Sequence, residues 1–172
     1  MAEEEGADIF GQQGNGEDTG PQVGIISQYV KDLSFENPNA PAIYQVQGQP
    51  KIEVDFNIGA GKLNDEIHEV VLKIEIKAAA GDQTAFVVDL LYAGLVGMRN
   101  VPEEQVQPFL LAEAPRLLFP FARQIVNELV QQGGFPPLLL EPIDFGGLYM
   151  QRMAQQLAEE SGGTAGELGG QA

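Results

Sequence analysis

The sequence contains no cysteine and only one histidine, His68. The absence of cysteine excludes disulfides, a thiol nucleophile and any cysteine-ligated metal site. A single histidine is too few for a histidine-rich metal site within one chain. No apolar run approaches the roughly 20 residues that a membrane-spanning helix needs, so we expect no direct membrane insertion.

Basic residues are also scarce, with 9 Lys and Arg against 25 Asp and Glu, which gives a formal net charge of −16 at pH 7. Nucleic acids and anionic lipid surfaces are poor partners for such a chain, because contacts with their phosphates need basic patches. A basic protein partner would instead be attracted by electrostatic steering. The alternative is that the acidity only maintains solubility, and both interpretations remain open at this point.

Both ends of the chain, residues 1–20 and 158–172, are rich in glycine and acidic residues and poor in large apolar ones. This composition predicts disordered acidic tails. The N-terminus lacks the basic segment of a signal peptide, which predicts a cytoplasmic protein. We expect one ordered domain over residues 21–157, long enough to bury a real core.

Alternation of apolar and polar residues predicts strands in the first half of this domain, each with one buried and one wet face. The predicted strands cover residues 22–36, 51–58, 69–78 and 84–94. Helical patterns follow only after the last strand. Strands first and helices afterwards indicate an α+β fold, a four-stranded antiparallel sheet with helices packed on one face.

The helical half predicts helices over residues 101–114 and 115–132, and a last helix capped by Asp144. Pro115 and Pro120 are expected to break or kink the middle of this region. Apolar residues recur at spacings of three and four in residues 115–132, which predicts an amphipathic helix. The stripe consists of Leu118, Phe121, Ile125 and Leu129. In a single subunit, we expect either this stripe or the apolar positions of the sheet to be partly uncovered.

Residues 133–145, with the sequence GGFPPLLLEPIDF, combine large apolar side chains with three prolines and two glycines. Proline and glycine argue against a helix or a central strand, and loops usually run over the surface. The stretch therefore predicts an exposed apolar loop. The alternative is that its leucines pack inward and fix the last helix to the core.

The fourth strand departs from simple alternation, because its outward positions include Val87 and Leu91 beside Asp89. A wet face is normally polar. The outward face of the first strand adds Asp32 and Glu36. Apolar residues ringed by acids suggest a surface that contacts another protein, and burial in an oligomer is the alternative.

No catalytic motif stands out in the sequence. There is no phosphate-binding glycine loop and no G-x-S-x-G nucleophile turn. A small enzyme that uses Asp55, Asp65 or His68 as acid or base on the concave side of the sheet is the hypothesis from another class. We favour a binding module without enzymatic activity and without a cofactor or metal.

Three stretches, residues 29–41, 82–95 and 117–149, resemble the bacterial export chaperone family SecB. The resemblance covers about residues 22–157 in the family's order. It implies a homotetramer, arranged as a dimer of dimers, with a four-stranded antiparallel sheet and two principal helices in each subunit. It further implies binding of unfolded preproteins in the cytosol and their delivery to the translocase motor SecA, without a cofactor or metal.

The resemblance places the client-binding groove between a crossover loop, residues 37–50, and the loop that connects the helices. The positions that it implies are Tyr44, Val54, Phe56, Phe86, Phe135, Leu138, Leu139 and Leu140. The chain departs from the family at Gly48, where other members carry an aromatic residue. An aromatic part of the groove is therefore expected to differ.

The resemblance implies that SecA binds an acidic face of the sheet. The matching positions are Asp32, Glu36, Val87 and Asp89. Asp89 stands where a longer acid is common, which changes the reach of the side chain and keeps its charge. A SecB-like chaperone dedicated to one client is the closest alternative, and the intact acidic set favours the general export role.

Overall fold

Alternating apolar residues build a single antiparallel sheet in the computed structural model, which describes residues 19–163. Its strands, in the spatial order β1-β4-β3-β2, are β1 (Gln22–Glu36), β2 (Lys51–Lys62), β3 (Ile67–Ala80) and β4 (Gln83–Arg99). A crossover with a short 3₁₀ turn at Ala42–Gln45 joins β1 to β2. The predicted α+β architecture is confirmed.

The two faces of the sheet differ sharply. On β3, Leu72, Ile74 and Ile76 are fully buried, whereas the intervening Lys73 and Glu75 are partly exposed. Their neighbours on β4 follow the same division, because directly opposed residues share a face. We call the buried side the helix face and the other side the open face.

A β-bulge in β1 decides which residues of this strand reach the open face. Tyr29 pairs with Ala93 and Asp32 with Leu91, so Lys31 is an extra residue between two paired positions. The Tyr29 hydroxyl and the Lys31 ammonium both donate to Glu69, at 2.6 Å and 2.8 Å. The hydrogen bond to Glu69 raises the pKa of Tyr29 to about 12.

The helices follow the sheet as α1 (Glu103–Pro108), α2 (Ala114–Gln132) and α3 (Phe145–Gly163). A π-helical segment, Phe109–Glu113, joins α1 to α2, and the backbone N–H of Ala114 donates to the carbonyl of Phe109, five residues back. The predicted interruption at Pro115 is therefore a widened turn. Pro120 lies inside α2 without ending it, so of the expected break or kink, a break does not occur there.

The apolar stripe predicted for α2 is only partly covered within one subunit. Leu118 is buried, but Phe121 is 49 % exposed. The residues of α2 that pack on the sheet are Leu118, Phe119, Ala122, Val126 and Val130. The reason is that α2 carries apolar residues on two sides, and spacing alone does not show which side meets the sheet.

The helix α3 runs past the predicted domain boundary at residue 157 and ends at Gly163. The remainder of the predicted tails, residues 1–18 and 164–172, lies outside the described residues. No helix within residues 19–163 is long and apolar enough to cross a membrane.

Close approach of α2 to the sheet depends on Gly94 of β4. A Cβ atom at Gly94 would lie 2.9 Å from Leu118 Cδ2, and Leu118 is fully buried, so that its displacement would disturb the core. We expect Gly94→Val to destabilise the protein by about 1–3 kcal/mol, the usual cost of overpacking a core. Urea denaturation measures the change.

The matched control is Gly59→Val on the edge strand β2, where nothing lies within 4 Å of the added Cβ atom. Its free energy of unfolding should stay the same or rise, because valine favours strands more than glycine does. Equal losses in the two variants would contradict the packing described here.

Candidate functional site

An apolar groove lies between the crossover, residues 37–50, and the connecting loop, residues 133–144. It consists of two neighbouring cavities of about 230 Å³ and about 210 Å³, which share Pro50 and Pro136 in their walls. Tyr44, Phe135 and Val46 line the larger cavity, and Ile52, Phe86 and Leu138 line the smaller one. The structure thus brings together both loops that the sequence assigned to the groove.

The connecting loop is ordered although it has no regular secondary structure. At the end of α2, Gly134 adopts a φ of +85°, a region that favours glycine. Side chains of α2 then form hydrogen bonds with backbone groups of the loop. Asn127 Oδ1 accepts a hydrogen bond from the N–H of Leu138 at 3.1 Å, and Arg123 donates to the carbonyl of Leu140 at 3.4 Å.

The three consecutive leucines of this loop have different environments. Leu138 is half-buried and lines the smaller cavity. Leu139 is 72 % exposed, whereas Leu140 is 6 % exposed and packs in the core. Leu140 was predicted to line the groove, and the structure instead turns its side chain inward, because successive side chains of an extended segment point in opposite directions.

Aromatic rings form a continuous cluster beneath and along the larger cavity. The ring centroids of Phe86 and Phe135 are 4.9 Å apart, and those of Phe135 and Tyr44 are 5.5 Å apart. Phe35 stacks on the far side of Phe86 at 6.2 Å. Since Phe86 is only 1 % exposed, it lies in the floor of the groove rather than at its surface.

Two predicted groove residues, Val54 and Phe56, lie farther along β2 on the helix face. Both are half-buried and line neither of the two cavities, and Phe56 packs edge-on against Phe119 at 6.0 Å. Sequence reasoning missed Ile52 and Val46, although Ile52 belongs to the same alternating stripe as Val54. A further apolar cavity of about 130 Å³ lies between Ile58 of β2 and α3.

Gly48 lines the larger cavity with a φ of +106°. Nothing lies within 4 Å of the position that a Cβ atom would take. The wall of the groove at this point is therefore open, where other family members were expected to carry an aromatic side chain.

The predicted SecA-binding residues lie together on the open face. Directly opposed pairs across β1 and β4 are Ser34 with Asp89 and Glu36 with Val87. Asp32 comes next along β1, opposite Leu91. We call Asp32, Glu36, Val87 and Asp89 the acidic patch, and within residues 19–163 neither Asp32 nor Glu36 forms an ion pair.

Charges beside the acidic patch are largely paired with one another. Lys73 and Glu75 of β3 form an ion pair at 3.0 Å, and the hydrogen bond from Lys73 lowers the pKa of Glu75. The same bond, with help from the negative charge of Asp89, raises the pKa of Lys73. The patch therefore presents its carboxylates to solvent next to a neutralised pair and one further exposed cation, Lys77, which lies opposite Val87.

The residues of the enzyme hypothesis do not converge. Asp55 lies on the open face opposite Glu75, whereas His68 lies on the other face, in line with Val70. Asp65 is in the β2–β3 turn, where it forms an exposed ion pair with Lys62 at 3.2 Å. No cluster of three or more metal-ligating side chains occurs in the part of the chain that the structure describes.

Several curated relatives of this chain are named protein-export protein SecB. The protein from Sphingopyxis alaskensis is 59 % identical over 167 residues, covering 96 % of this chain and 97 % of that protein. The protein from Rhizorhabdus wittichii is 63 % identical over 153 residues, covering 89 % of this chain and 92 % of that protein.

A solved SecB-like chaperone of Mycobacterium tuberculosis, in complex with a peptide from an antitoxin, has a similar fold. The TM-score is 0.60 at 17 % sequence identity, over 70 % of this chain and 90 % of that one.

The α+β fold, the apolar groove and these relatives together define a chaperone that acts in protein export. A family model described as preprotein translocase subunit SecB matches residues 16–156. The chain belongs to the SecB family, as the sequence motifs predicted.

Adjacent leucines of the connecting loop provide a direct test of its placement. Leu140→Ala should lower the free energy of unfolding by about 2–5 kcal/mol, because it leaves a cavity in the core. Leu139→Ala, the matched control one residue away, should change it by less than about 0.5 kcal/mol, as surface substitutions do. Denaturant unfolding of the two variants measures both values, and equal losses would contradict the alternation described here.

Proposed function

We propose that this chaperone holds unfolded preproteins in an export-competent state in the cytoplasm and delivers them to SecA. The observation that carries the proposal is the placement of the two candidate surfaces. Phe86 lies in the floor of the groove, and its neighbour Val87 belongs to the acidic patch on the opposite face. A client and the motor protein can thus occupy one subunit together, as a handover requires.

The groove suits clients that share little sequence. Its walls are mostly apolar, and burying one Leu or Phe side chain of a client would contribute roughly 1.5–3 kcal/mol. Proline-rich walls at Pro50, Pro136 and Pro137 keep the extended loops from collapsing into helices. Weak sites repeated over several subunits would add through multivalency, which gives tight holding without sequence specificity.

The acidic patch suits a basic partner. Asp32 and Glu36 lie on β1 on either side of Ser34, which is opposite Asp89, and Val87 lies opposite Glu36. Complementary charge speeds association and selects the partner, whereas an apolar side chain such as Val87 contributes binding energy. The carboxylates of this patch would therefore meet a basic segment of SecA.

A homotetramer, arranged as a dimer of dimers, is the proposed assembly. Phe121 and Leu117 project from α2 on the side away from the sheet, with Phe121 49 % exposed. β1 is an edge strand that also exposes Val30 and Leu33. Obligate interfaces bury such apolar surfaces, and both α2 and β1 offer them within one subunit.

A chaperone dedicated to one client is the alternative, and an antitoxin peptide is bound to the mycobacterial protein of similar fold. The acidic patch favours the general role, since only that role needs SecA. Binding of several unrelated unfolded proteins with comparable affinity would support general holding. Binding of a single client would support the alternative.

Charge reversal on β1 tests the motor site. The double variant Asp32→Lys and Glu36→Lys should lose SecA binding in surface plasmon resonance, because it places like charges together at the interface. Holding of an unfolded preprotein, measured as delayed refolding, should be unchanged. The matched control is Glu53→Lys with Asp55→Lys on the open face of β2, which changes the net charge equally at the opposite edge of the sheet.

Two results would count against this assignment. One is SecA binding by the β1 variant at wild-type strength in low salt. The other is an equal loss in the β2 control, which would mean that only net charge matters.

The assembly is tested by light scattering. The wild-type chain should have the mass of four subunits, and Phe121→Glu should have a smaller mass, because a charge replaces an apolar contact. Gln131→Glu, a substitution at an exposed position later on α2, adds the same single negative charge and serves as the control. A wild-type mass of one subunit at micromolar concentration would refute the tetramer.

A further inference from the structure

A ring of three hydrogen bonds joins the two loops that frame the groove. The side-chain amide of Asn37 donates to the hydroxyl of Tyr44 at 2.8 Å and to the carbonyl of Gly133 at 3.1 Å. The Tyr44 hydroxyl in turn donates to the same carbonyl at 2.7 Å. We call these three groups the clasp.

We propose that Asn37 is a positioning residue for client binding, which sets the distance between the two walls of the groove through the clasp. This inference rests on the proposed holding of unfolded proteins. Asn37 lines neither cavity, so it would act on clients only through Tyr44 and the connecting loop. Tyr44 would accordingly serve as a structural link in addition to its place in the groove wall.

The geometry leaves the clasp little freedom. The Tyr44 hydroxyl uses both its donor and its acceptor capacity within the ring. The Asn37 amide is also fixed in orientation, because turning it over would set its oxygen against the carbonyl oxygen of Gly133. Its own oxygen, Oδ1, is buried and has no partner among the described residues, so only the donor side of the amide is in use.

Packing around the clasp connects it to the core. Asn37 follows the last residue of β1, and a Cβ atom at Gly133 would collide with the Phe35 ring, so α2 ends tightly against this strand. The Tyr44 ring packs against Phe135, and a Cβ atom at Gly134 would lie 3.0 Å from this ring. The clasp therefore joins the end of β1, the crossover and the end of α2 at one place.

Loss of the clasp should weaken client binding by removing preorganisation. Without it, the Tyr44 ring and the crossover gain conformations that a client must then restrict. The worth of one hydrogen bond corresponds to an affinity change of about three- to tenfold. The loss should appear mainly as faster dissociation, as is common among variants of one interface.

The experiment uses the full chain with permanently unfolded, carboxymethylated α-lactalbumin as the client probe. The variants are Asn37→Ala, Tyr44→Phe and the double substitution. Tyr44→Phe keeps the whole ring and removes only the hydroxyl. The matched control is Asn39→Ala, because Asn39 donates a similar hydrogen bond from the same crossover, to the carbonyl of Thr84 at 2.9 Å, but does not reach the connecting loop.

We expect the two single variants to bind the probe three- to tenfold more weakly. The double variant should lose less than the product of the two single losses, because both single changes remove the bond between Asn37 and Tyr44. Non-additivity identifies groups that act as one unit. Asn39→Ala should bind like wild type. Wild-type affinity in Asn37→Ala, additive losses, or an equal loss in Asn39→Ala would overturn the inference.

Hydrogen exchange without any client separates this inference from the proposed function. In Asn37→Ala, the amides of Gly134, Phe135 and Leu138 should exchange faster, while amides in the centre of β3 keep their protection. Unchanged exchange in the loop would refute the clasp even if clients bind. Faster exchange in a protein whose wild type holds no unfolded client would refute the proposed function and leave the clasp as a structural link only.

Discussion

Burial of one face of the sheet under α2 is the constraint on which the remaining features depend. Leu118 and Val126 of α2 are fully buried, and Gly94 allows the close approach. Because side chains alternate along a strand, covering one face commits every second residue to the other. Phe86 and Val87 are consecutive for this reason but belong to opposite surfaces. The packing of α2 on one face of the sheet thus separates an apolar groove from a charged surface.

The groove depends on loops that stay extended in contact with a core. An apolar loop is usually a hazard, since it can collapse or aggregate. Here prolines prevent helix formation. Asn127 and Arg123 form hydrogen bonds with backbone groups of the loop that have no partner in a strand. Anchoring at Leu140 and exposure at Leu139 follow from the same extended geometry. The connecting loop can therefore have an ordered backbone and still expose apolar side chains.

Charge on the open face contributes little to stability, and the role proposed for it is recognition. In the ion pair of Lys73 with Glu75, both side chains are exposed to water, and such pairs contribute little to the stability of the fold. Asp32 and Glu36 are not neutralised in this way among the described residues. Their field extends over about 8–10 Å at physiological salt, far enough to steer a basic segment before contact.

Periodicity in the sequence by itself predicted the strands, their wet and buried faces and the α+β order, and the resemblance of three stretches predicted the family. It also brought Asp32, Glu36 and the loop leucines to attention as functional candidates. Tertiary structure alone decided that Leu140 is buried beside an exposed Leu139, and that Phe121 lies on the uncovered side of α2. The bulge at Lys31 likewise has no signal in the alternation. The physical reason is that spacing shows which side chains point apart, whereas only the packed neighbours determine which of them is covered.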